Sequence, residues 1–552
     1  MRIYSFDVFD TCLVRKCGTP DNLFDILARR AFSEEVDEKY YEAFVIERKR
    51  AESEKWSKSK TLSDIYKEFY LPLEHIYSNQ ELENIELECE TELLSPVFSV
   101  KQRIDKYRKK GHRIVYISDM YLSESFIKEQ LIKHGLYQQG DALFVSSSHN
   151  AAKFDGSLYK LVHAELGISY HSWHHFGDNR HSDVKVPRIL GIRATRIKNG
   201  YSPYQKTTKD IICKGFNWSG IAAGLSRSMI LSEEYHPHKL LYIDLILPFF
   251  TTFTYKILKR ASQDGINRLY FCARDAYPLY QIALQFQPHF PKVDIQLLSI
   301  STLALYEGNQ HNALLYFRKI GLANYENEDV KCGIVDIRTS GKTLVYLNNL
   351  FNQNGYKSVY GYFWEITKPT SPINNNFIFS EINDSYIRNR KSVNCLAGNW
   401  ILYELFFPLN TLKRTINYLP DGSPEYEENR SCELNISGIA KWVKWRDVVM
   451  HQYLGTFQYM GMSSFSEKLL ENSITKNLVD FLNEPHYLYV AAREGITINL
   501  DVNKNIPFVK KSPIFLFSIM RRNTVWRRGT IAFNMPTILF RTLRHIKEHL
   551  SN

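Results

Sequence analysis

The chain has 552 residues, 44% hydrophobic and 23% charged, with a formal net charge of +11. That length exceeds what one hydrophobic core organises and predicts two or three domains, while the composition excludes a disordered or collagen-like chain. The eight cysteines (Cys12, Cys17, Cys89, Cys213, Cys272, Cys332, Cys395, Cys432) form no Cys-x-x-Cys pair and no Cys/His cluster at metal spacing. They read as free thiols of a reducing compartment, against a disulfide framework or a structural zinc site.

In chain order, Met1 to Phe6 is short, apolar and rich in strand formers, and it runs into Asp7-Val8-Phe9-Asp10-Thr11. Reactive groups of an open parallel sheet stand at strand C-termini, although an Asp in that place is also an ordinary turn former or helix cap. Residues 20 to 95 are dense in Glu, Lys, Leu and Tyr, with apolar residues at helical spacing (Leu23, Phe24, Ile26, Leu27; Ile65, Tyr66, Phe69, Tyr70), and predict a helical insertion. Ser95-Pro96 breaks that pattern, and Val100 to Lys110 resumes as a basic amphipathic helix stopped by Gly111. A second strand, Arg113 to Ile117, ends in Ser118-Asp119. A helix over 123 to 134 leads to a third strand, Leu143 to Val145, ending in Ser146, Ser147 and Ser148. Lys153 follows, in Lys153-Phe154-Asp155-Gly156-Ser157-Leu158-Tyr159, with a helix to about Leu166. A fourth strand around His174-His175-Phe176 stops at Gly177-Asp178, with Asp183 just beyond. Alternating strand and helix through residue 200 predicts an α/β doubly wound parallel sheet on which Asp7, Ser118, Lys153, Asp178 and Asp183 converge.

Residues 201 to 238 lose the alternation and read as a linker, and a second α/β domain is expected over 239 to 440. Its elements are a helix from Phe249 to Ala261, a strand Arg268 to Cys272 leading into Arg274 and Asp275, and a strand Ile295 to Ile300. A further strand, Gly333 to Ile337, runs into Arg338-Thr339-Ser340-Gly341-Lys342-Thr343 and a helix from Leu344 to Leu350. The last loop departs from a P-loop, which needs Gly where Asp336 stands. It reads either as an anion-binding helix start or as an ordinary strand-to-helix turn. Arg274, Asp275 and Asp336 are the candidates for a second, substrate-binding polar site, with an Arg to Asp brace of the loop as the alternative. Residues 441 to 552 predict a helical, basic end. From Pro507 on, Lys510, Lys511, Arg521, Arg522, Arg527, Arg528, Arg541, Arg544 and Lys547 face Glu548 as the only acid. Phe515, Leu516, Phe517 and Ile519 among them suit either contact with anionic lipid or a solvated basic face. No nucleic-acid motif is present, so no nucleic-acid partner is expected. With no signal region and no apolar run of spanning length, the expected location is cytoplasmic, the basic end allowing a peripheral place on the inner face of the membrane.

The residues at the strand ends carry a resemblance. Residues 1 to 200 resemble the haloacid dehalogenase (HAD) superfamily, a Rossmann-like α/β domain with a helical cap, here about 16 to 97. Its motifs are matched in order by Asp7 to Thr11, by Ser118, by Lys153 in its Lys-x-x-Gly-x-Leu-Tyr setting, and by Asp178 with Asp183. The resemblance implies Asp7 as a nucleophile that forms an aspartyl phosphate, and Mg²⁺ held by Asp7, Asp178, Asp183 and the backbone carbonyl of Phe9. Lys153 would offset developing charge, and Thr11, Ser118 and Asp119 would bind a phosphorylated small-molecule substrate. The superfamily's phosphatases carry a general-acid Asp two places after the nucleophile; Phe9 stands there, and Asp10, the remaining candidate acid, occupies a place where Gly is usual. Members acting on carbon–halogen or carbon–phosphorus bonds also lack that Asp. A phosphotransferase, a dehalogenase-like or phosphonate-like hydrolase, and a binding module without turnover therefore stay open, with Asp178 and Asp183 favouring phosphoryl chemistry. Residues 240 to 440 resemble the accessory region of bacterial predicted hydrolases from surface-polysaccharide gene clusters, through Ala273 to Tyr277, Val335 to Ile337 and Tyr403 to Pro408. That implies a sugar phosphate in capsule or lipopolysaccharide assembly, with anionic membrane or polysaccharide-assembly enzymes as partners. A glycosyl or phosphosugar transferase and a non-catalytic membrane-surface scaffold are the alternatives.

Overall fold

A computed structural model describes residues 2–54, 57–199, 218–233, 242–243, 247–273, 276–325, 328–339, 341–366, 378–382, 414–427 and 447–456. They belong to two compact units, the first built mainly from Met1–Asp244 and the second mainly from Leu245–Gly455.

In the first unit, strand β1 (Ile3–Phe6) is buried along its whole length, as a central strand covered on both faces must be. A short antiparallel ribbon of β2 (Leu13–Arg15) and β3 (Leu94–Pro96) follows, and then β4 (Arg113–Ser118), β5 (Ala142–Val145), β6 (Trp173–Gly177) and β7 (Arg193–Arg196). The order is β5-β4-β1-β6-β7 with every pairing parallel. Alternate residues of β4 enter opposite cores: Ile114 and Tyr116 join Phe6 and Phe176, while Val115 and Ile117 join Ile3, Val162 and Trp173. The chain winds one way from β1 to β4 and β5, then returns to place β6 on β1's other side. The crevice beyond the C-termini of β1 and β6 is thus the topological switch point, where such sheets bind ligands.

Between β2 and β3 lie four helices, α1 (Pro20–Ala28), α2 (Glu38–Ser53), α3 (Leu62–Glu68) and α4 (Asn79–Leu93). Their starts follow local chemistry. Thr19 caps α1 ahead of Pro20, and Thr61 with Asp64 and Ser78 with Glu81 form reciprocal capping boxes on α3 and α4. The ribbon was not foreseen, since three residues per strand give no period to read. The stretch expected as a linker contains a helix, Trp218–Leu231, packed on β2 and β3 within the first unit.

The second unit also holds a five-stranded parallel sheet, made of β8 (Arg268–Cys272), β9 (Asp294–Leu298), β10 (Cys332–Thr339), β11 (Tyr360–Ile366) and β12 (Ile378–Ile382). Its order is β12-β11-β10-β8-β9, a doubly wound arrangement. A hairpin of β13 (Thr415–Tyr418) and β14 (Pro424–Tyr426) completes the described strands. The last four of these seven strands were not read from the sequence. Arg274, Asp275, Tyr403 to Pro408 and the basic end beyond residue 456 lie outside the described residues. Among the described residues, Cys12, Cys17, Cys89 and Cys332 are buried free thiols, Cys272 is buried as well, and no helix is long and apolar enough to cross a membrane.

Candidate functional site

Asp7 follows β1 directly. Its amide bonds to the Phe176 carbonyl at 2.8 Å, which continues the sheet by one residue and fixes the carboxylate at the strand end. The Val8 carbonyl then accepts from the amides of Cys12 (2.8 Å) and Leu13 (2.9 Å), closing a tight turn over Phe9 to Thr11. Asp183 arrives from the other side of the switch point. Asn179 caps its turn by accepting the amides of His181 and Ser182, and Asp183 Oδ2 accepts the Asn179 amide at 2.9 Å. Gly177 makes this possible: a Cβ there would stand 2.4 Å from Asp183 Cγ. Lys153 comes from the loop after β5, its amide held by Asp119 Oδ1 at 2.7 Å and Oδ2 at 3.0 Å.

Asp7, Asp178 and Asp183 offer carboxylate oxygens that all lie within 4.8 Å of one another. The buried Lys153 ammonium bridges two of them, at 2.5 Å from Asp7 Oδ1 and 2.8 Å from Asp183 Oδ1. Three carboxylates against one ammonium leave a formal excess of two negative charges in a largely buried place, an all-oxygen donor set that fits a hard divalent cation such as Mg²⁺. Burial pushes Asp7 up to about 8; the nearby Asp183 and Asp178 add to this and Lys153 opposes it. Burial, Asp10 and Asp183 likewise push Asp178 up to about 6. Asp183 is held well below the ordinary carboxylate range, against the effect of burial, by Lys153 and His175.

These shifts fix a sign. Without metal, the folded chain keeps protons on Asp7 and Asp178 that the unfolded chain releases near pH ~4. The stability they contribute is full below that value and is lost as pH rises through about 6 and then about 8. A divalent cation binds the ionised carboxylates and competes with those protons. The rise in unfolding temperature given by Mg²⁺ over EDTA is therefore expected to be larger near pH ~8 than near pH ~5. A Mg²⁺ shift independent of pH, measured by thermal unfolding, would contradict this.

Not every expected residue takes its expected place. Thr11 Oγ1 and Ser118 Oγ are fully buried hydroxyls without a hydrogen-bond partner among the described residues, so neither is committed to a protein acceptor. Asp119 differs: its carboxylate holds the backbone amides of Lys153 and Phe154, so it supports Lys153 rather than facing substrate. The Phe9 ring lies 4.8 Å from the guanidinium carbon of Arg15, and that guanidinium is itself locked on buried Glu90 at 2.6 Å. Asp10 sits in the left-handed region (φ +55°), and its carboxylate pairs with Arg227 at 2.9 Å. In the second unit, Asp336 lies within β10 and its carboxylate accepts the Ile337 amide at 2.8 Å. Its expected partners Arg274 and Asp275 lie outside the described residues.

A buried chain behind Asp183 escaped the sequence reading. His175 Nε2 stands 3.3 Å from Asp183 Oδ1, His175 Nδ1 2.7 Å from Ser5 Oγ, and Trp173 Nε1 2.7 Å from the same oxygen. Burial lowers the His175 pKa and favours the neutral ring. A neutral ring that donates from Nε2 to the carboxylate must accept at Nδ1 from Ser5, whose oxygen accepts from Trp173. Every group in the chain is then satisfied in one direction, which fixes Asp183. The adjacent His174-His175 in a predicted buried strand was the available signal.

No protein-family model and no curated protein matches the sequence. Among solved structures, the chain is similar to a HAD phosphatase from Thermococcus onnurineus, with 19% identity over 36% of this chain and 87% of that one, at a TM-score of 0.28. It is also similar to a HAD family enzyme from Bacteroides thetaiotaomicron in complex with magnesium and inorganic phosphate (13% identity, 37% and 97% covered, TM-score 0.27). A third is a 2-haloacid dehalogenase from Pseudomonas syringae pv. Tomato DC3000 (14% identity, 36% and 87% covered, TM-score 0.28). At such identities no activity transfers to this chain.

Proposed function

We propose that the first unit is a Mg²⁺-dependent phosphohydrolase or phosphotransferase of the HAD type, acting on a phosphorylated small molecule. A sugar phosphate of capsule or lipopolysaccharide assembly is the substrate class suggested by the resemblance of the second half. The observation that carries this reading is the convergence of Asp7, Asp178, Asp183 and Lys153 at the switch point between β1 and β6.

The Asp7 carboxylate attacks phosphorus, the bond from phosphorus to the leaving oxygen breaks with its electron pair on that oxygen, and an aspartyl phosphate forms. Lys153 sits against Asp7 and Asp183 and offsets the charge of one anion approaching another. The hydroxyls of Thr11 and Ser118 donate to phosphoryl oxygens. Water, or an acceptor hydroxyl in the transferase variant, then cleaves the acyl phosphate and frees Asp7. Asp7, Asp178 and Asp183, with the Phe9 carbonyl as a further oxygen, would hold Mg²⁺, which would neutralise phosphoryl charge there.

Phe9 narrows the substrate. General acid catalysis is worth roughly 10² to 10⁴ in rate, and an aromatic ring packed on Arg15 supplies none of it. Leaving groups of low pKa should be processed faster than alkoxides by about that factor. The test is phosphate release from acyl phosphates, p-nitrophenyl phosphate and sugar phosphates in Mg²⁺ and in EDTA. Metal-dependent release is expected, fastest from acyl and nitrophenyl phosphates. No release from any of them in Mg²⁺ overturns the reading. Phe9 also favours a second reading, a module that binds Mg²⁺ and a phosphate ester without turnover, and that same negative result would leave it standing.

A further inference from the structure

The turn after the nucleophile is held in part from outside residues 1 to 200, the stretch expected to contain the site. Asp10 adopts a left-handed conformation that side-chain-bearing residues seldom take, so something must keep it there. Asn199 Nδ2 donates to the carbonyls of Asp10 at 3.0 Å and Thr11 at 3.2 Å. Arg227, on helix Trp218–Leu231, donates from Nη2 to Asp10 Oδ1 at 2.9 Å and from Nε to the Asn199 carbonyl at 2.8 Å. Arg227 and Asn199 are both buried, so water competes little with the bonds between them, while the Asp10 carboxylate that Arg227 holds is itself 38% exposed. The two residues brace each other and the turn at once: one fork of a guanidinium holds the Asp10 side chain, the other holds the strut that carries the turn's carbonyls.

The same helix meets the chain where it enters the cap. An added Cβ on Gly224 would stand 2.3 Å from the Gly18 nitrogen and 2.5 Å from the Cys17 carbonyl carbon. The helix backbone therefore lies directly on Cys17–Gly18, just past β2, and only glycine at position 224 allows that approach.

We propose that Arg227, acting with Asn199, is a positioning residue for the turn from Asp7 to Thr11, which makes helix Trp218–Leu231 part of the catalytic unit. This rests on the reading of Asp7 as nucleophile. Asp10 is then an anchor, and its carboxylate serves the backbone around Asp7 rather than a leaving group. A near-attack geometry tolerates little displacement of the nucleophile, so loosening the turn costs turnover more than binding.

The test uses the full chain with Arg227→Met and Arg227→Lys, read by hydrogen exchange and by phosphate release from p-nitrophenyl phosphate in Mg²⁺. In Arg227→Met, amides of residues 7 to 18 should exchange about tenfold faster or more, while those of β4 and β5 keep their protection. The kcat should fall roughly 10- to 100-fold with KM little changed. Arg227→Lys keeps the charge opposite Asp10 but not the fork, and should recover part of both. Should Arg227→Met not fold, Asn199→Ala carries the same expectation, since it removes the donors to the turn and leaves the ion pair. Faster exchange throughout the first unit would mean a merely structural role, and unchanged exchange at 7 to 18 or unchanged kcat would also overturn the proposal. If the wild type releases no phosphate, the reading of Asp7 fails separately, and the exchange experiment alone still decides whether the clamp exists.

Discussion

Asp7→Asn will abolish phosphate release, by roughly 10⁴-fold or more, while leaving the first unit folded. The amide keeps the shape of the carboxylate and can still accept a hydrogen bond from Lys153, but it cannot form the acyl phosphate. Its effect on stability runs the other way. Asp7 is buried, shares one ammonium with Asp183 and is pushed up to about 8, so in the absence of metal the stability that its proton contributes falls as pH rises toward about 8, and beyond that its ionised form opposes folding. An uncharged residue removes that opposition. In EDTA the variant should therefore unfold at the same temperature as wild type or higher, and its stabilisation by Mg²⁺ should shrink because one of three carboxylates is gone. Loss of phosphate release together with a fall in EDTA stability would point to damage to the fold. Retained release would remove Asp7 from the chemistry altogether.

The parts of this site that could be read in the sequence are those at the ends of short apolar runs. Asp7 and Asp178 each follow, and Ser118 ends, a strand whose residues are nearly all buried, and the pattern of apolar run then polar residue survives without any contact information. Parallel winding then forces those ends together. What stayed hidden depends on pairing between distant residues. Asp10 and Arg227 are 217 positions apart, and Gly220, Gly224 and three serines weaken the helix signal of Trp218–Leu231. Its glycine is explained only by the backbone of Gly18 beneath it. Asp119 was legible as a carboxylate at a strand end, yet which partner it serves follows from the loop that carries Lys153. Phe9 shows the converse: its departure from the motif is plain in the sequence, but its packing on an Arg15 that Glu90 holds is not.

That second ion pair has a larger neighbour among the four helices between β2 and β3, and Glu86→Ala should be among the most destabilising single changes in the first unit. Arg48 and Glu86 are both 0% exposed and meet through two hydrogen bonds, Nε to Oε2 at 2.8 Å and Nη2 to Oε1 at 2.7 Å. The hydroxyls of Tyr66 (2.7 Å) and Tyr121 (3.2 Å) donate to the same carboxylate, and the Arg48 guanidinium lies over the Phe24 ring at 4.5 Å. Tyr121 follows β4, so this network also ties α2 and α4 to the sheet. Removing the carboxylate strands a buried cation and two buried hydroxyls, and breaking such a pair from one side costs about 3–5 kcal/mol. For a unit of this size that is roughly 6–20 °C in unfolding temperature. Arg48 keeps one other carboxylate, Glu52 at 3.0 Å, but Glu52 is itself 42% exposed and offsets little of the loss. Glu86→Gln, which keeps an acceptor in place, should cost less. The double variant Arg48→Met/Glu86→Leu removes both charges together and should be less destabilised than Glu86→Ala, because an apolar pair of similar volume avoids the unpaired cation. Thermal unfolding of these variants orders them directly. A Glu86→Ala shift below about 2 °C would show that the Arg48 charge finds compensation in the surrounding rings and in Glu52.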